Sequence, residues 1–274
     1  MILFQDVDGC LNAPDGSSIG FTEENLSNEL REQLVEVGRS LDASDIEHLV
    51  FNTGRSWAAT EYLARAINSP KVRYILVEHG AAIWDTANLK KLDLARQSRL
   101  PHIKQASASV SRVEGLVSWY NNVGHKRLSA ALDIVSRLDH ERDQEANLTF
   151  SVPEELDGEH VLATIEAVIK NEPQFAGDDF AYHWSRPERF IDVMGHMDKG
   201  LGVELMREFL DPTYTYAIGN GLNDLAMLKA VDHPICPANA ETDVIEYCQG
   251  AGSVSEHGFI ASLHDFLQSK ITNQ

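Results

Sequence analysis

Cysteine is scarce in this chain. Only Cys10, Cys236 and Cys248 occur among 274 residues, and their spacing matches no metal-ligand pattern. So small and odd a number argues against a disulfide framework and against a cysteine-based metal site. We therefore expect a protein of a reducing compartment, the cytoplasm.

Positive charge and long apolar runs are also in short supply. Lysine and arginine total 23 against 42 aspartates and glutamates, which gives a formal net charge of −19. Nucleic-acid binding calls for a basic face, so we expect no nucleic-acid partner. No stretch approaches the ~20 apolar residues that span a bilayer, so we expect no membrane partner. Asp6 and Asp8 interrupt the first apolar run, which argues against a secretory leader.

The remaining composition is that of a globular protein with a sizeable core, at 43% hydrophobic and 24% charged residues. The length suggests one large or two smaller domains. Basic side chains outnumber acidic ones between residues 90 and 142, and acidic ones dominate between 143 and 179. These segments are either two solvated helical faces or a basic surface that faces an anionic substrate across a cleft.

The beginning of the chain carries its most informative motif. Residues 1–5 are mostly apolar and predict a short buried strand, which delivers Asp6 and Asp8 to its carboxyl end. Ligands bind at that end in open parallel α/β sheets. One carboxylate can act as a nucleophile and the other as a proton shuttle, with a cation to hold them together. By itself this D-x-D-G pattern is a weak signal, because turns and calcium loops also use it.

Strands and helices alternate after this motif, which predicts a parallel sheet with right-handed crossovers. The predicted elements are strand 1–5, helix 23–40 with Thr22 as its N-cap, strand 46–51, helix 56–67 and strand 72–77.

The alternation breaks between residues 84 and 185, where helices mix with short strands, and it resumes at residues 189–193. A helix then follows Lys199, a strand covers 214–218, and Ile235 and Ile260 mark the last strand and the closing helix. We predict a three-layer Rossmann-like α/β core with a mainly parallel sheet, formed by residues 1–83 and 186–274. An α+β cap, residues 84–185, is inserted into it.

Four polar clusters follow strand ends or begin helices: Asp6 with Asp8, and residues 53–55, 199–200 and 220–224. The ends of parallel strands share one edge of a sheet, so these clusters should converge there. Together they suit phosphoryl transfer, which calls for a nucleophile, cationic and hydroxyl donors, and a metal. We expect Asp6 to be the nucleophile and Asp8 the proton donor and acceptor. The residues expected to contact phosphate are Thr53, Gly54 and Lys199, and those expected to bind Mg²⁺ are Asp6, Asp8, Asn220, Asn223 and Asp224.

The order D-x-D-G, T-G-R, K-G and G-x-G-x-N-D resembles the haloacid dehalogenase-like phosphatase superfamily. The similarity is greater to the subgroup with a large cap after the second motif, which includes sucrose-phosphate phosphatase-like proteins. Further matching segments are 78–83, 191–193, 237–240 and 258–260. The resemblance implies a Mg²⁺-dependent phosphatase that forms an aspartyl-phosphate on Asp6 and acts on a small phosphorylated substrate, a sugar phosphate. It implies that Mg²⁺ lies between Asp6, the Asp8 carbonyl and the fourth motif, and it makes Arg55 a tentative substrate contact.

Two positions depart from the pattern of that family. Asn220 stands where the family has a metal-binding aspartate, so one negative charge is missing and we expect weaker Mg²⁺ binding. Cys10 stands where the family often has threonine, and we interpret it as a small buried filler. The loss of charge at Asn220 keeps open a catalytically degenerate binder of phosphorylated ligands. A phosphomutase of the same superfamily is the other alternative.

Single residues have plainer interpretations as well. Thr53 can be a helix N-cap, a role that is compatible with phosphate binding. His79 and His196 lie near motif positions without forming a metal-ligand pattern. Aromatic and basic side chains in the cap, around Trp119 and Trp184, suit either core packing or a sugar site. The sequence decides neither the specificity residues nor the oligomeric state.

Overall fold

The computed structural model describes residues 1–11, 26–134, 138, 140, 143–185 and 189–272. The chain divides into two compact units. The core unit comprises residues 1–98 and 198–274, and the cap unit comprises residues 99–197. Within the described ranges, no helix has the length and apolar character needed to cross a bilayer.

An eight-stranded sheet forms the centre of the core unit. Its strands are β1 (Ile2–Gln5), β2 (His48–Asn52), β3 (Tyr74–Val77), β4 (Ala82–Asp85), β5 (Lys90–Leu92), β9 (Thr215–Ile218), β10 (His233–Cys236) and β11 (Ser253–Val254). Their spatial order is β11-β10-β9-β1-β2-β3-β4-β5. All pairings from β11 to β3 are parallel. Strand β4 pairs antiparallel with β3, and β5 pairs antiparallel with β4. The predicted, mainly parallel α/β sheet is confirmed, and it carries an antiparallel edge that the sequence did not reveal.

Helices complete the core unit. They are α1 (Asn28–Ala43), α2 (Trp57–Ile67), α3 (Leu94–Gln97), α7 (Lys199–Leu210), α8 (Leu225–Lys229), α9 (Thr242–Ala251) and α10 (Phe259–Thr272). Helix α1 follows Ser27, whose hydroxyl accepts the Leu30 N–H at 3.1 Å. The predicted cap Thr22 and the predicted first residues of that helix, 23–25, lie outside the described residues. Helix α2 spans the predicted range almost to the residue.

Strand β1 brings the D-x-D-G motif to the middle of the sheet. Its four residues are buried, and the strand pairs in parallel with β2 on one side and β9 on the other. The Asp6 N–H donates to the Ile218 carbonyl at 3.0 Å and so extends this pairing by one residue. Since parallel strands end at one edge, the residues after β1, β2 and β9 lie beside one another.

The cap unit has its own sheet and its own apolar core. The sheet contains β6 (Asn147–Ser151), β7 (Ala181–Ser185) and β8 (Phe190–Met194) in the order β6-β8-β7, with both pairings antiparallel. Its helices are α4 (Pro101–Trp119), α5 (His125–Ala131) and α6 (Gly158–Lys170), with a π-helical turn at Tyr120–Gly124. Trp119 and Tyr120 belong to the buried apolar cluster of this unit, and Trp184 packs against it.

The structure contradicts the expected return to the core sheet at residues 189–193. That segment forms β8, the middle strand of the cap sheet, so the cap unit ends at Met197 and begins only after Ser98. The residues that the sequence assigned to the cap from position 84 form β4, β5 and α3 of the core unit. A short apolar strand has the same sequence pattern in either sheet, so periodicity could not assign it.

The basic and acidic segments of the sequence partly neutralise each other within the cap unit. Arg112 on α4 pairs with Asp178, and Arg127 on α5 pairs with Glu172. Both carboxylates are nearly buried, at 7% and 4% exposure. Neither alternative in the sequence analysis anticipated this pairing across the two segments.

Candidate active site

A buried lysine joins two carboxylates at the carboxyl edge of the core sheet. Lys199 is the first residue of α7, and its Nζ donates to Asp6 Oδ1 and to Asp224 Oδ1, both at 2.6 Å. The lysine is only 1% exposed. A buried charge requires such partners, because burial without them costs several kcal/mol. The structure therefore brings Asp6, Lys199 and Asp224 into contact, as the sequence predicted.

The electrostatics of this cluster follow from burial and from its own charges. Burial raises the pKa of Asp6, Asp224 raises it further, and Lys199 opposes both effects. For Lys199, burial works against the charge, but Asp224 and Asp6 outweigh it and raise the pKa of the lysine. The lysine thus stays charged, and it is the cation that both carboxylates share.

Asp224 is fully engaged in holding the neighbouring loop. Its Oδ2 accepts the Asn220 N–H at 2.9 Å and the Gly221 N–H at 3.0 Å, while Oδ1 accepts from Lys199. Asn223 is exposed, and its side-chain oxygen lies over Gly221. The structure therefore brings Asp224 to the site as a brace for the loop, and it does not join Asn223 to the other candidate ligands through any described contact.

Asp8 is held by Arg55 in a two-pronged ion pair. Arg55 Nε lies 3.1 Å and 2.9 Å from the two Asp8 carboxylate oxygens, and Nη2 lies 2.6 Å from Oδ1. Such bidentate pairs fix orientation as well as charge. The Asp8 side chain remains 36% exposed, so it faces solvent while Asp6 is buried. Arg55 is thus in direct contact with the candidate proton donor, and its expected contact with substrate stays a prediction.

Thr53 and Gly54 lie in the loop between β2 and α2. The Thr53 hydroxyl accepts the Arg55 N–H at 3.1 Å, which leaves its own proton free for donation. The residue that caps α2 is Ser56, whose hydroxyl accepts the Ala59 N–H at 3.4 Å, so the N-cap interpretation of Thr53 is wrong. A Cβ on Gly54 would lie 2.7 Å from the His79 ring, so only glycine fits there without displacing His79.

The segment that packs on this loop has a strained backbone. Glu78 and His79 both have left-handed conformations, with φ of 53° and 58°. Their N–H groups donate to Arg55 and Thr53 carbonyls at 3.0 Å and 2.9 Å. Left-handed conformations of residues other than glycine cost of order 1 kcal/mol or more and concentrate at functional sites. Sequence reasoning noted His79 without finding this role.

Three oxygen atoms converge beside Asp6. The Asn220 carboxamide has two orientations: with its oxygen inward, that oxygen lies 2.7 Å from the Asp8 carbonyl oxygen and 3.3 Å from Asp6 Oδ2, and after a half-turn the NH₂ group donates to both at these distances. Neighbouring oxygens around Mg²⁺ are about 3.0 Å apart, given Mg–O distances of about 2.1 Å in an octahedron. These residues therefore fit a small hard cation. No three His, Cys, Asp or Glu side chains in the described ranges form a metal-binding group, so the fit depends on the amide and the carbonyl.

Cys10 contacts the same carboxamide. With the carboxamide oxygen turned inward, the Cys10 thiol donates to Asn220 Oδ1 at 3.1 Å. Burial, together with Asp6 and Asp224, raises the pKa of this thiol, so it remains protonated and able to donate. Cys10 is completely buried, as the sequence predicted, but it is more than a filler. Gly9, at φ 72°, makes room for the amide, because a Cβ there would lie 2.3 Å from Asn220 Nδ2.

Further polar residues hold the backbone of the motifs, and the sequence did not single them out. Gln5 Nε2 donates to the Asp6 carbonyl at 2.8 Å, and Asn52 Nδ2 donates to the Lys199 carbonyl at 2.9 Å. Asn239 Nδ2 donates to the Gly9 carbonyl at 2.8 Å. Asn239 belongs to the 237–240 segment that carries the family resemblance, which was the only signal for it.

A mostly parallel sheet with an acidic cluster at its carboxyl edge, interrupted by a separate cap unit, defines a capped α/β fold of the Rossmann-like kind. The family model described as haloacid dehalogenase-like hydrolase matches residues 3–260. The chain therefore belongs to the haloacid dehalogenase-like hydrolases. No curated protein sequence matches it.

Solved structures share this fold over nearly the whole chain. The sucrose-phosphatase from Synechocystis sp. PCC6803, in complex with sucrose and phosphate, has a TM-score of 0.62 at 14% identity, covering 98% of this chain and 97% of its own. A haloacid dehalogenase-like hydrolase from Bacteroides thetaiotaomicron has a TM-score of 0.57 at 17% identity, with 97% and 98% coverage. A superfamily phosphatase from that bacterium, BT1666, has a TM-score of 0.53 at 18% identity, with 98% and 94% coverage. At such identities the likeness concerns the fold.

Proposed function

We propose that this protein is a Mg²⁺-dependent phosphomonoesterase that hydrolyses a small phosphorylated metabolite, a sugar phosphate, through an aspartyl-phosphate on Asp6. The observation that carries the proposal is the position of Asp6. It stands at the end of the central strand, in contact with Lys199 and beside the oxygens of Asn220 and Asp8. A carboxylate held in this way has little freedom, and positioning is a large part of phosphoryl-transfer catalysis.

Asp6 would act first as the nucleophile. One of its carboxylate oxygens forms a bond to phosphorus, and the bond from phosphorus to the sugar oxygen breaks. Asp8 donates a proton to the departing oxygen, so that the alcohol leaves neutral. The bidentate contact with Arg55 supports this assignment, because it fixes the direction in which the partly exposed Asp8 carboxyl points.

Hydrolysis of the aspartyl-phosphate would complete the cycle. Asp8, now deprotonated, accepts a proton from a water molecule whose oxygen forms a bond to phosphorus. The bond between phosphorus and Asp6 then breaks, which releases inorganic phosphate and restores the carboxylate. One group thus serves as acid and then as base, and the net reaction consumes one water molecule.

Lys199, Thr53 and the loop amide groups would bind the phosphoryl oxygens. Lys199 has a third ammonium proton beyond those given to Asp6 and Asp224, and Thr53 has its hydroxyl proton. Asp6, the Asp8 carbonyl and Asn220 would hold Mg²⁺, and Asp224 would brace Asn220. When bound, the cation would reduce the negative charge that opposes the approach of a phosphate to Asp6. Asn223, although proposed from the sequence, has no described contact that supports a ligand role.

The substrate class rests on the presence of a cap and on the structural neighbour that was solved with a sugar and phosphate. The sucrose-phosphatase of Synechocystis was solved with sucrose and phosphate. We therefore propose a phosphorylated sugar or sugar derivative as substrate.

Phosphate release from a panel of sugar phosphates tests this function. It is measured with and without millimolar Mg²⁺, for the wild type, Asp6→Asn and the control Asp211→Asn, which alters an aspartate beyond the end of α7. We expect Mg²⁺-dependent release that Asp6→Asn abolishes and Asp211→Asn retains. An isomerised sugar phosphate without free phosphate would indicate a mutase. Binding without any turnover would indicate a degenerate binder.

A further inference from the structure

We propose that Cys10 is a positioning residue for the cation site. Its thiol holds the Asn220 carboxamide with the oxygen, and not the NH₂ group, turned toward Asp6 and Asp8. This inference rests on the cation site of the proposed function. It concerns the two positions at which the chain departs from the family pattern, and the structure brings these two residues, 210 positions apart, into contact.

The carboxamide has two possible orientations with nearly the same shape. With Oδ1 turned inward, three oxygens meet at 2.7 Å and 3.3 Å with no proton between them, which suits a cation. After a half-turn the NH₂ group takes that position and donates to the Asp8 carbonyl and to Asp6 Oδ2 at these same distances. The second orientation satisfies the acceptors without a cation, and it must be abandoned when a cation binds.

The inward NH₂ therefore competes with the metal. When only a fraction of the protein has the competent orientation, the apparent affinity falls by that fraction. Any contact that favours the inward oxygen raises the competent fraction and tightens cation binding.

The Cys10 thiol is such a contact. With the oxygen inward the thiol donates to Oδ1 at 3.1 Å, whereas after the half-turn it faces an amide group that carries protons and can only accept from it weakly through sulfur. The thiol is completely buried and cannot turn to bulk water for compensation. Loss of a buried neutral hydrogen bond is worth about 1 kcal/mol, so removal of the thiol should weaken cation binding roughly three- to tenfold.

A carboxylate at position 220 would not need this help. Both of its oxygens can bind a cation, so a half-turn changes nothing. The role of Cys10 is therefore specific to the amide, and the two residues should be energetically coupled. A cysteine that merely filled space would contribute equally with Asn or Asp at position 220.

The test is a double-mutant cycle on cation affinity, measured without turnover. Mn²⁺ binding is followed by electron paramagnetic resonance of the free ion, and Mg²⁺ by competition. The proteins are the wild type, Cys10→Ala, Cys10→Ser, Asn220→Asp and Cys10→Ala/Asn220→Asp. Cys248→Ala serves as the control, because it removes another buried thiol on α9.

We expect Cys10→Ala to raise the dissociation constant three- to tenfold with Asn220 present, and less than twofold in the Asn220→Asp background. Cys10→Ser, which keeps a donor, should stay within about twofold of the wild type, as should Cys248→Ala. Equal losses in both backgrounds, or no rescue by serine, would overturn the proposal.

The outcome also separates this inference from the proposed function. Coupled cation binding in a protein that releases no phosphate would support the role of Cys10 and contradict the phosphatase. Phosphate release together with equal effects of Cys10→Ala in both backgrounds would support the phosphatase and contradict the role of Cys10. Absence of cation binding in both the wild type and Asn220→Asp would refute the cation site and the role of Cys10 together.

Discussion

Replacement of Lys199 by methionine removes the one cation shared by Asp6 and Asp224. Both contacts measure 2.6 Å, and the three side chains are 1%, 5% and 0% exposed. Breaking a buried ion pair by removing one partner costs about 3–5 kcal/mol, because the remaining charge is left uncompensated. For a unit of this size, each kcal/mol lost from the free energy of unfolding lowers the melting temperature by about 2–4 °C. We therefore expect the melting temperature of Lys199→Met to fall by roughly 6–20 °C.

The loss of stability in Lys199→Met should depend on pH in a defined direction. Lys199 itself has a raised pKa, so its contribution is complete at all pH values below about 10 and does not vary in the tested range. Burial already raises the pKa of Asp6, and removal of Lys199 raises it further. The folded variant therefore takes up a proton more readily than the unfolded chain, whose aspartates titrate near ~3.9. Its stability deficit relative to the wild type should shrink as the pH falls.

The assay is thermal unfolding at pH 8 and pH 5, with Lys170→Met as the matched control. Lys170 forms an exposed pair with Glu166 four residues away on α6, and such pairs contribute about 0.3–0.5 kcal/mol. We expect a deficit for Lys199→Met that is several-fold larger than that of the control, and larger at pH 8 than at pH 5. A deficit equal to that of Lys170→Met, or one independent of pH, would refute the electrostatic account of this cluster.

Two further substitutions test the loop after β2. Gly54→Ala places a Cβ 2.7 Å from the His79 ring, so we expect a destabilisation of about 1–3 kcal/mol in urea unfolding. Gly115→Ala, at a helical site with open space, should stabilise by about 0.5–1 kcal/mol, and equal effects would contradict the packing argument. Arg55→Lys keeps the charge but loses the bidentate hold on the proton donor, so we expect kcat to fall by about tenfold with a smaller change in KM. The control Arg65→Lys alters an exposed ion pair with Glu61 on α2, the helix that follows this loop, and it should leave kcat unchanged. An equal fall in both variants would remove the positioning role of Arg55.

The local motifs could be predicted because each one is short and follows an apolar strand. Asp6 and Thr53 were expected at one edge on this ground, and the strands that position them, β1 and β2, pair in parallel as expected. Lys199 was expected at the same edge, and it reaches it as the first residue of α7. Local patterns failed where an element could belong to either sheet. The segment 190–194 is apolar and strand-forming, and nothing in it distinguishes a central core strand from the middle strand of a cap.

Long-range partnerships were the other limit. The sequence predicted that Cys10 is buried and that Asn220 is a Mg²⁺ ligand, but their direct contact depends on loops far apart in the chain. The pairing of Arg55 with Asp8 was missed for the same reason, since the family resemblance indicated only a substrate contact for that arginine. Charge and spacing identify which residues gather at a site. Only the fold decides which side chains contact each other.

The central claim is that Asp6 forms a covalent phosphoryl intermediate, and Asp8→Asn tests it most directly. With p-nitrophenyl phosphate, whose leaving group needs no proton, the variant should still be phosphorylated but should lack the base for hydrolysis. We expect one burst of p-nitrophenol followed by very slow turnover, and acid-quenched protein with one added phosphoryl group on the peptide that contains Asp6. Steady turnover without a burst, or a phosphoryl group on another residue, would contradict the account.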